Sequence, residues 1–290
     1  MQAIEDLMHM GANEEPTHLY HYTTAEGLKG IVEKQELWAT DIFYLNDWTE
    51  FYRGRDEFKR ELEERPTSTW KCTSEKRVAQ AVSDLLQKPN PLGNNRVFVC
   101  SFSEKGNDLS QWRAYCQDGG YSIGFRRDQL EQLANRENNC NLRRCDYSDD
   151  CAHHVDRLLR FLSRKAGCED PDTSVRATEL LLCKFAAQYK DPRFNDEQEW
   201  RLIFVSSEPK LKFRTRGAFL VPYVRFTLKD PALWRDVHVR VGPCLRETDE
   251  LRVQSIKMFL QSELKRHGLP ATCRKNVEVS GIPYRTGMGG

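Results

Sequence analysis

The sequence predicts an α+β fold, and two observations carry that prediction. Short apolar strands and amphipathic helices are mixed along all 290 residues, without the strand-helix alternation that builds a doubly wound parallel sheet. No internal repeat, low-complexity tract or long Pro/Gly/Ser linker divides the chain, so residues 1–290 read as one domain. With 39% hydrophobic residues the chain can bury one sizeable core.

Taken in order, Leu19-Tyr-His-Tyr is the first strand, and Thr23-x-x-Glu26 is a capping box that opens a helix through Leu28, Ile31 and Val32. A short strand, Leu37-Trp-Ala-Thr, leads to the turn-forming Tyr44-Leu-Asn-Asp47, and Trp48 to Leu62 reads as a charged helix. Ser74 caps a helix carrying Val78, Val82, Leu85 and Leu86, which Pro89-Asn-Pro stops. Val97 to Ser103 is a buried strand, Leu109 to Tyr115 a short helix, and Gly119 to Phe125 a turn feeding another strand. Beyond a strand at Asn141 to Tyr147, apolar residues at helical spacing in 155–166 and 174–189 predict a helical insertion over 148–190. Strands follow at Glu197 to Val205, Ala218 to Leu228 and Val237 to Val241, then a long helix capped by Thr248 and a last strand near Val277 to Tyr284. The basic, alternating stretch Lys210 to Arg216 reads as an edge strand guarded by charge.

Lys plus Arg number 44 against 43 Asp plus Glu, a formal net charge of +1, so no bulk field draws the protein to nucleic acid or anionic lipid. The chain opens without a basic-then-apolar leader, and no apolar run is long enough for a membrane helix; the expected location is the cytoplasm, with no membrane partner. Ten cysteines without a CxxC pair read as reduced thiols. Cys140, Cys145, Cys151, His153 and His154 are the densest group of soft ligands, but they spread from strand to helix, and no metal is expected.

Three strands carry polar pairs. Residues two apart share a strand face, so His21 pairs with Thr23, Ser101 with Ser103, and Glu197 with Glu199, Arg201 following on the same side. Burying such pairs is costly unless they are satisfied, and three of them predict a common wet cleft. Chemistry at a ribose anomeric carbon needs hydroxyl-binding groups and a carboxylate to stabilise positive charge; Glu199, at the mouth of the apolar run Trp200 to Val205, is the candidate. Gln111 and Tyr115 lie one helical turn apart and either line that cleft or support it, whereas Trp112 reads as structural. Glu199 could equally be an architectural partner of Arg201 or Arg113.

The segments Leu19-Tyr-His-Tyr-Thr-Thr-Ala-Glu-Gly-Leu, Leu37-Trp-Ala-Thr-Asp, Tyr44-Leu-Asn-Asp47, Ser101-Phe-Ser-Glu, Leu109-Ser-Gln-Trp-Arg-Ala-Tyr115, Glu197-Gln-Glu-Trp-Arg-Leu and Ile282-Pro-Tyr-Arg resemble, in this order, the bacterial DUF2971 family. That family in turn resembles the ADP-ribosyltransferase superfold: a mixed, mostly antiparallel sheet with surrounding helices. The resemblance implies that NAD is the cosubstrate and that Glu199 binds a ribose 2′-hydroxyl while Glu197 helps receive the acceptor. His21, with Tyr22 and Thr23, would hold the adenosine-side ribose or the nicotinamide amide, and Ser101 and Ser103 would brace the nicotinamide pocket. Gln111, Arg113 and Tyr115 complete the expected NAD-binding set. The middle strand offers Ser where the superfold often has Tyr, so Tyr22, Tyr44 and Tyr115 all stand open as the aromatic that stacks on nicotinamide.

The expected function is therefore NAD cleavage with transfer of ADP-ribose to a protein, a nucleic acid or water. A regulatory protein partner and a toxin or antiviral-defence role would match the habits of such enzymes. The alternative is a non-catalytic nucleotide-sensing or protein-interaction domain on the same fold.

Overall fold

The computed structural model describes residues 15–45, 49–65, 73–87, 93–116, 119–148, 155–156, 171–244 and 248–283. It is an α+β structure built on a ten-stranded, mostly antiparallel sheet. The strands are β1 (His18–Thr23), β2 (Glu36–Asp41), β3 (Arg96–Ser103), β4 (Tyr121–Arg126), β5 (Cys140–Arg144), β6 (Glu199–Ser206), β7 (Lys212–Arg216), β8 (Phe219–Thr227), β9 (His238–Val241) and β10 (Val277–Val279). Only β9 and β10 run parallel to each other.

The sheet forks on one edge of β3. Along its other edge β3 pairs continuously with β6, from Arg96↔Ser206 to Ser103↔Glu199, and β5 follows β6. On the forked edge β2 takes Phe98 and Val99, leading to β8 and β7, while β1 takes Ser103, leading to β4, β9 and β10. Cys100 to Phe102 lie between the two arms. Strand alternation then gives β3 and β6 one face of mixed character. Val97, Val99, Ile203 and Val205 are buried with Cys183, Ala186 and Ala187 of α6 (Pro171–Gln188), whereas Ser101, Ser103, Arg201 and Glu199 continue the same face beyond the helix end.

The opposite face carries the main core. Phe98, Cys100, Phe102, Trp200 and Leu202 pack there with α1 (Ala25–Lys34) and α5 (Arg127–Asn135). α7 (Pro231–Trp234) and α8 (Asp249–Arg266) close it. On the other side α2 (Thr49–Glu64) and α3 (Thr73–Leu86) pack with α6 through Phe58, Val82, Leu85 and Phe185. α4 (Leu109–Tyr115) is capped by Asp108, whose carboxylate accepts the Ser110 and Gln111 amides.

Several local expectations are corrected. α1 is capped by Thr24, whose hydroxyl accepts the Gly27 amide at 3.1 Å, rather than by Thr23. Ser74 lies inside α3, and Thr248 precedes α8 without a side-chain cap bond. The helix α5 has no counterpart in the sequence reading, its nine residues being too polar on average to stand out. Glu197 ends a 3-10 turn, Pro192–Glu197, and β6 starts only at Glu199. Asn46, Asp47, Cys151, His153, His154 and most of 155–166 lie outside the described residues.

Candidate active-site cleft

A cleft of about 1010 Å³ opens at the fork. It brings together His21, Tyr22 and Thr23 of β1, Ser101 of β3, Gln111 and Tyr115 of α4, and Glu197 and Glu199. Two expected residues are not among its lining. Ser103 is buried, donating to the Glu197 carbonyl at 2.7 Å and accepting the Lys105 amide at 3.1 Å, so it braces the loop behind the cleft. Arg113 is on the exposed side of α4.

His21 stands where the ladder is interrupted. Its Nδ1 lies 2.9 Å from the Ser101 carbonyl, so Nδ1 carries the proton and links β1 to β3 through a side chain where the two strands do not pair. Burial holds the imidazole pKa below its ordinary value; the carbonyl bond opposes this, and the nearby Arg214 charge adds to it. The ring is neutral at pH 7, with Nε2 left as an acceptor. α1 can approach this point because residue 27 is glycine: a Cβ there would stand 1.9 Å from the Thr23 hydroxyl.

Glu199 is buried and ionised. Arg201 donates to both its oxygens, Nε to Oε1 at 2.8 Å and Nη2 to Oε2 at 3.1 Å, and Lys190 Nζ reaches Oε2 at 2.5 Å. Burial alone would raise its pKa, but Arg201 and Lys190 outweigh it and hold the carboxyl at about 2. Lys190 also donates to Glu197 Oε2 at 2.6 Å, so one ammonium joins both carboxylates. A carboxylate offers about four acceptor positions, of which Glu199 uses three, leaving one on Oε1.

The scaffold that sets this geometry is local. Arg201 Nη1 donates to the Ala187 carbonyl at 2.8 Å, and Lys190 lies two residues past the end of α6, so both cations sit where the helix dipole favours positive charge. The Lys190 backbone is held by its amide bond to the Asp146 carbonyl at 2.8 Å. Glu199 is bracketed by the Cys145 amide on its carbonyl and by the Tyr147 hydroxyl on its amide, both at 2.8 Å. Between the two glutamates Gln198 adopts a left-handed conformation, φ 44°, with its side chain tied to Arg144 and Asn195. Glu197 and Glu199 therefore meet at Lys190 across a turn, not along one strand face.

The aromatic candidates separate. The Tyr22 ring packs edge-on to Trp112, centroids 4.7 Å apart, and its hydroxyl donates to the Lys105 carbonyl and accepts the Asp108 amide. It is a buttress. Tyr44 is not among the lining residues, and Tyr115, 40% exposed, stands in the cleft with its hydroxyl pKa raised to about 12 by burial and by Glu197 and Glu199. Trp38 and Phe194 also line the cleft and were not anticipated. Lys190 was missed too, although a cation directly after a predicted helix is a readable signal. Arg214 and Arg216 of β7 line the far side.

The match to known families falls on one part of this site. Residues 111–202 match a family model described as Protein of unknown function (DUF2971). The matched segment includes Gln111, Tyr115, Lys190, Glu197, Glu199 and Arg201, and stops short of His21 and Arg214. No curated protein and no solved structure matches the chain. The likeness to the ADP-ribosyltransferase superfold thus stands on the residue pattern alone.

Among the described residues no helix is long and apolar enough to cross a membrane. Cys100, Cys116, Cys140, Cys145 and Cys183 are buried, and none of them is in a disulfide. A separate trio, His18, Asp236 and His238, has potential ligand atoms within 4.8 Å of one another. His18 Nε2 lies 3.0 Å from the Asp236 carbonyl, so that nitrogen carries a proton rather than a free lone pair, and its ring stacks on His238 at 4.1 Å.

Proposed function

We propose that the cleft binds NAD and cleaves its nicotinamide-ribose bond, passing ADP-ribose to water or to a macromolecular acceptor. The observation that carries this reading is the Glu199 carboxylate, ionised and fixed by Lys190 and Arg201 at one wall of a cleft large enough for a dinucleotide. The free acceptor position on Oε1 suits a ribose 2′-hydroxyl. As the C1′–N bond breaks, its electron pair neutralises the pyridinium nitrogen and nicotinamide leaves without needing a proton. Positive charge moves to C1′ and its ring oxygen, where a preorganised carboxylate stabilises it more than it does the ground state. The acceptor oxygen then bonds to C1′ and gives its proton to Glu197, which is partly exposed at the cleft mouth. In this reading Tyr115, which lines the cleft, stacks on the nicotinamide ring.

The test is release of nicotinamide from NAD, followed by chromatography, with and without cell lysate as a source of acceptor. Wild-type protein is expected to release it and a folded Glu199→Gln protein to fall by about 10²–10³-fold. Equal turnover by the two proteins would exclude this chemistry. One observation favours a second reading, a nucleotide sensor: three of the four acceptor positions of Glu199 are held by protein cations. Tight NAD binding without nicotinamide release would support it.

A further inference from the structure

Every buried or half-buried cation at the acid wall of the cleft has a carboxylate: Arg201 has Glu199, and Lys190 has Glu197 and Glu199. Arg214 does not. It is half-buried on β7, its Nη2 donates to the Thr40 hydroxyl at 2.9 Å, and no carboxylate among the described residues pairs with it. Its Nε is buried without a hydrogen-bond partner. Holding a guanidinium partly out of water without a counter-charge is unfavourable, so its retention needs a reason.

Edge protection is not that reason. β7 is an edge strand, and charges that guard an edge are expected to face solvent, as exposed Lys212 does. Arg214 instead reaches across β8 to Thr40 on β2, over the face of the sheet and into the cleft. Arg216, two residues on, shares its strand face and also lines the cleft, with Nη2 donating to the Tyr44 carbonyl at 2.8 Å. The guanidinium fork matches the spacing of phosphate oxygens, which makes phosphate the anion of choice.

We infer that Arg214, with Arg216 beside it, forms a subsite for the phosphate groups of a nucleoside diphosphate moiety at the end of the cleft opposite Glu199. This deepens the proposed reading by naming the part of NAD that the second end would hold, and rests on that reading only for the ligand's identity. A ligand anion there supplies the counter-charge that no described residue provides and leaves the acid wall undisturbed.

The experiment is calorimetric titration of ADP and of adenosine into wild type, Arg214→Gln and Lys212→Gln, with thermal unfolding of each free protein. Wild type is expected to bind ADP more tightly than adenosine, and Arg214→Gln to lose about tenfold or more of ADP affinity while keeping or raising its thermal midpoint. Lys212→Gln should bind ADP like wild type. Absence of ADP binding to wild type, an unchanged affinity in Arg214→Gln, or an equal loss in Lys212→Gln overturns the subsite. The two readings separate in NAD turnover. Wild type that binds ADP through Arg214 but releases no nicotinamide keeps the subsite and removes NAD cleavage, whereas turnover with an unaltered KM in Arg214→Gln does the reverse.

Discussion

The two ends of the cleft solve the problem of charge in opposite ways. At the acid wall two carboxylates and two cations neutralise one another, tied to the C-terminal end of α6 and to β5 and β6. At the β7 end Arg214 bonds the Thr40 hydroxyl and pairs with no carboxylate among the described residues. The first arrangement is complete in itself and can fix a carboxylate for chemistry; the second becomes complete only when an anion arrives. Free-state stability and ligand affinity should accordingly respond in opposite directions at the two ends.

The largest effect is expected on breaking the acid wall. Glu199→Gln leaves Lys190 and Arg201 buried with too little counter-charge, at a cost of about 3–5 kcal/mol in denaturant unfolding. A Glu199→Gln, Lys190→Met double variant should recover part of that loss while nicotinamide release stays abolished. Full recovery of turnover in the double variant would show that the carboxylate was only structural.

Next comes acid sensitivity. The folded pKa of Glu199, about 2, lies below its ordinary value of 4.5. Its stabilising contribution is therefore fully present above the unfolded pKa and is lost as pH falls from 4.5 towards 2. Asp191, lowered by its bonds to Arg193 and its proximity to Arg53, loses stability in the acid range as well. The informative quantity is the difference between wild type and Glu199→Gln, which should shrink across that window; a constant difference would refute the assignment. Lys190→Met removes one of the two cations that lower the Glu199 pKa, so the acid limb of kcat/KM should move to higher pH. A purely structural lysine would scale the whole profile without moving it.

Smaller effects sharpen the outline of the site. Ser103→Ala removes the bond to the Glu197 carbonyl and should cost about 1 kcal/mol of stability. Its effect on NAD should act through Glu197 placement, as a lower rate of transfer with KM for NAD preserved. Arg113→Ala, on the exposed side of α4, should change stability by no more than about 0.5 kcal/mol and leave turnover unchanged. A loss of NAD affinity in that variant would restore Arg113 to the site it was expected to join.

Much of the site was legible because its polar residues interrupt apolar strands. His21, Ser101 and Glu199 stood out by alternation, and Gln111 and Tyr115 by helical spacing, and all five line one cleft. The same alternation misassigned Ser103, which shares a strand face with Ser101 but is buried, its hydroxyl bonded to the Glu197 carbonyl. It also joined Glu197 to β6, because a left-handed residue at Gln198 leaves no mark in a hydrophobic pattern. Arg214 sat in a stretch recognised as basic, and nothing in that stretch distinguishes a charge facing solvent from one folded over the sheet.

The sequence by itself determined most of the strands and helices, that they form an α+β structure, and that several polar residues on apolar strands share a wet environment. These follow from periods of two and about 3.6 residues, which are local. Only the tertiary structure decided that β1 and β2 divide one edge of β3, that Lys190 joins both glutamates, and that Arg214 lies across the cleft bonded to Thr40. The His21–Ser101 bond spans 80 positions and the Arg214–Thr40 bond 174, and contacts at such separations are fixed by packing of the whole sheet and leave no period in the chain.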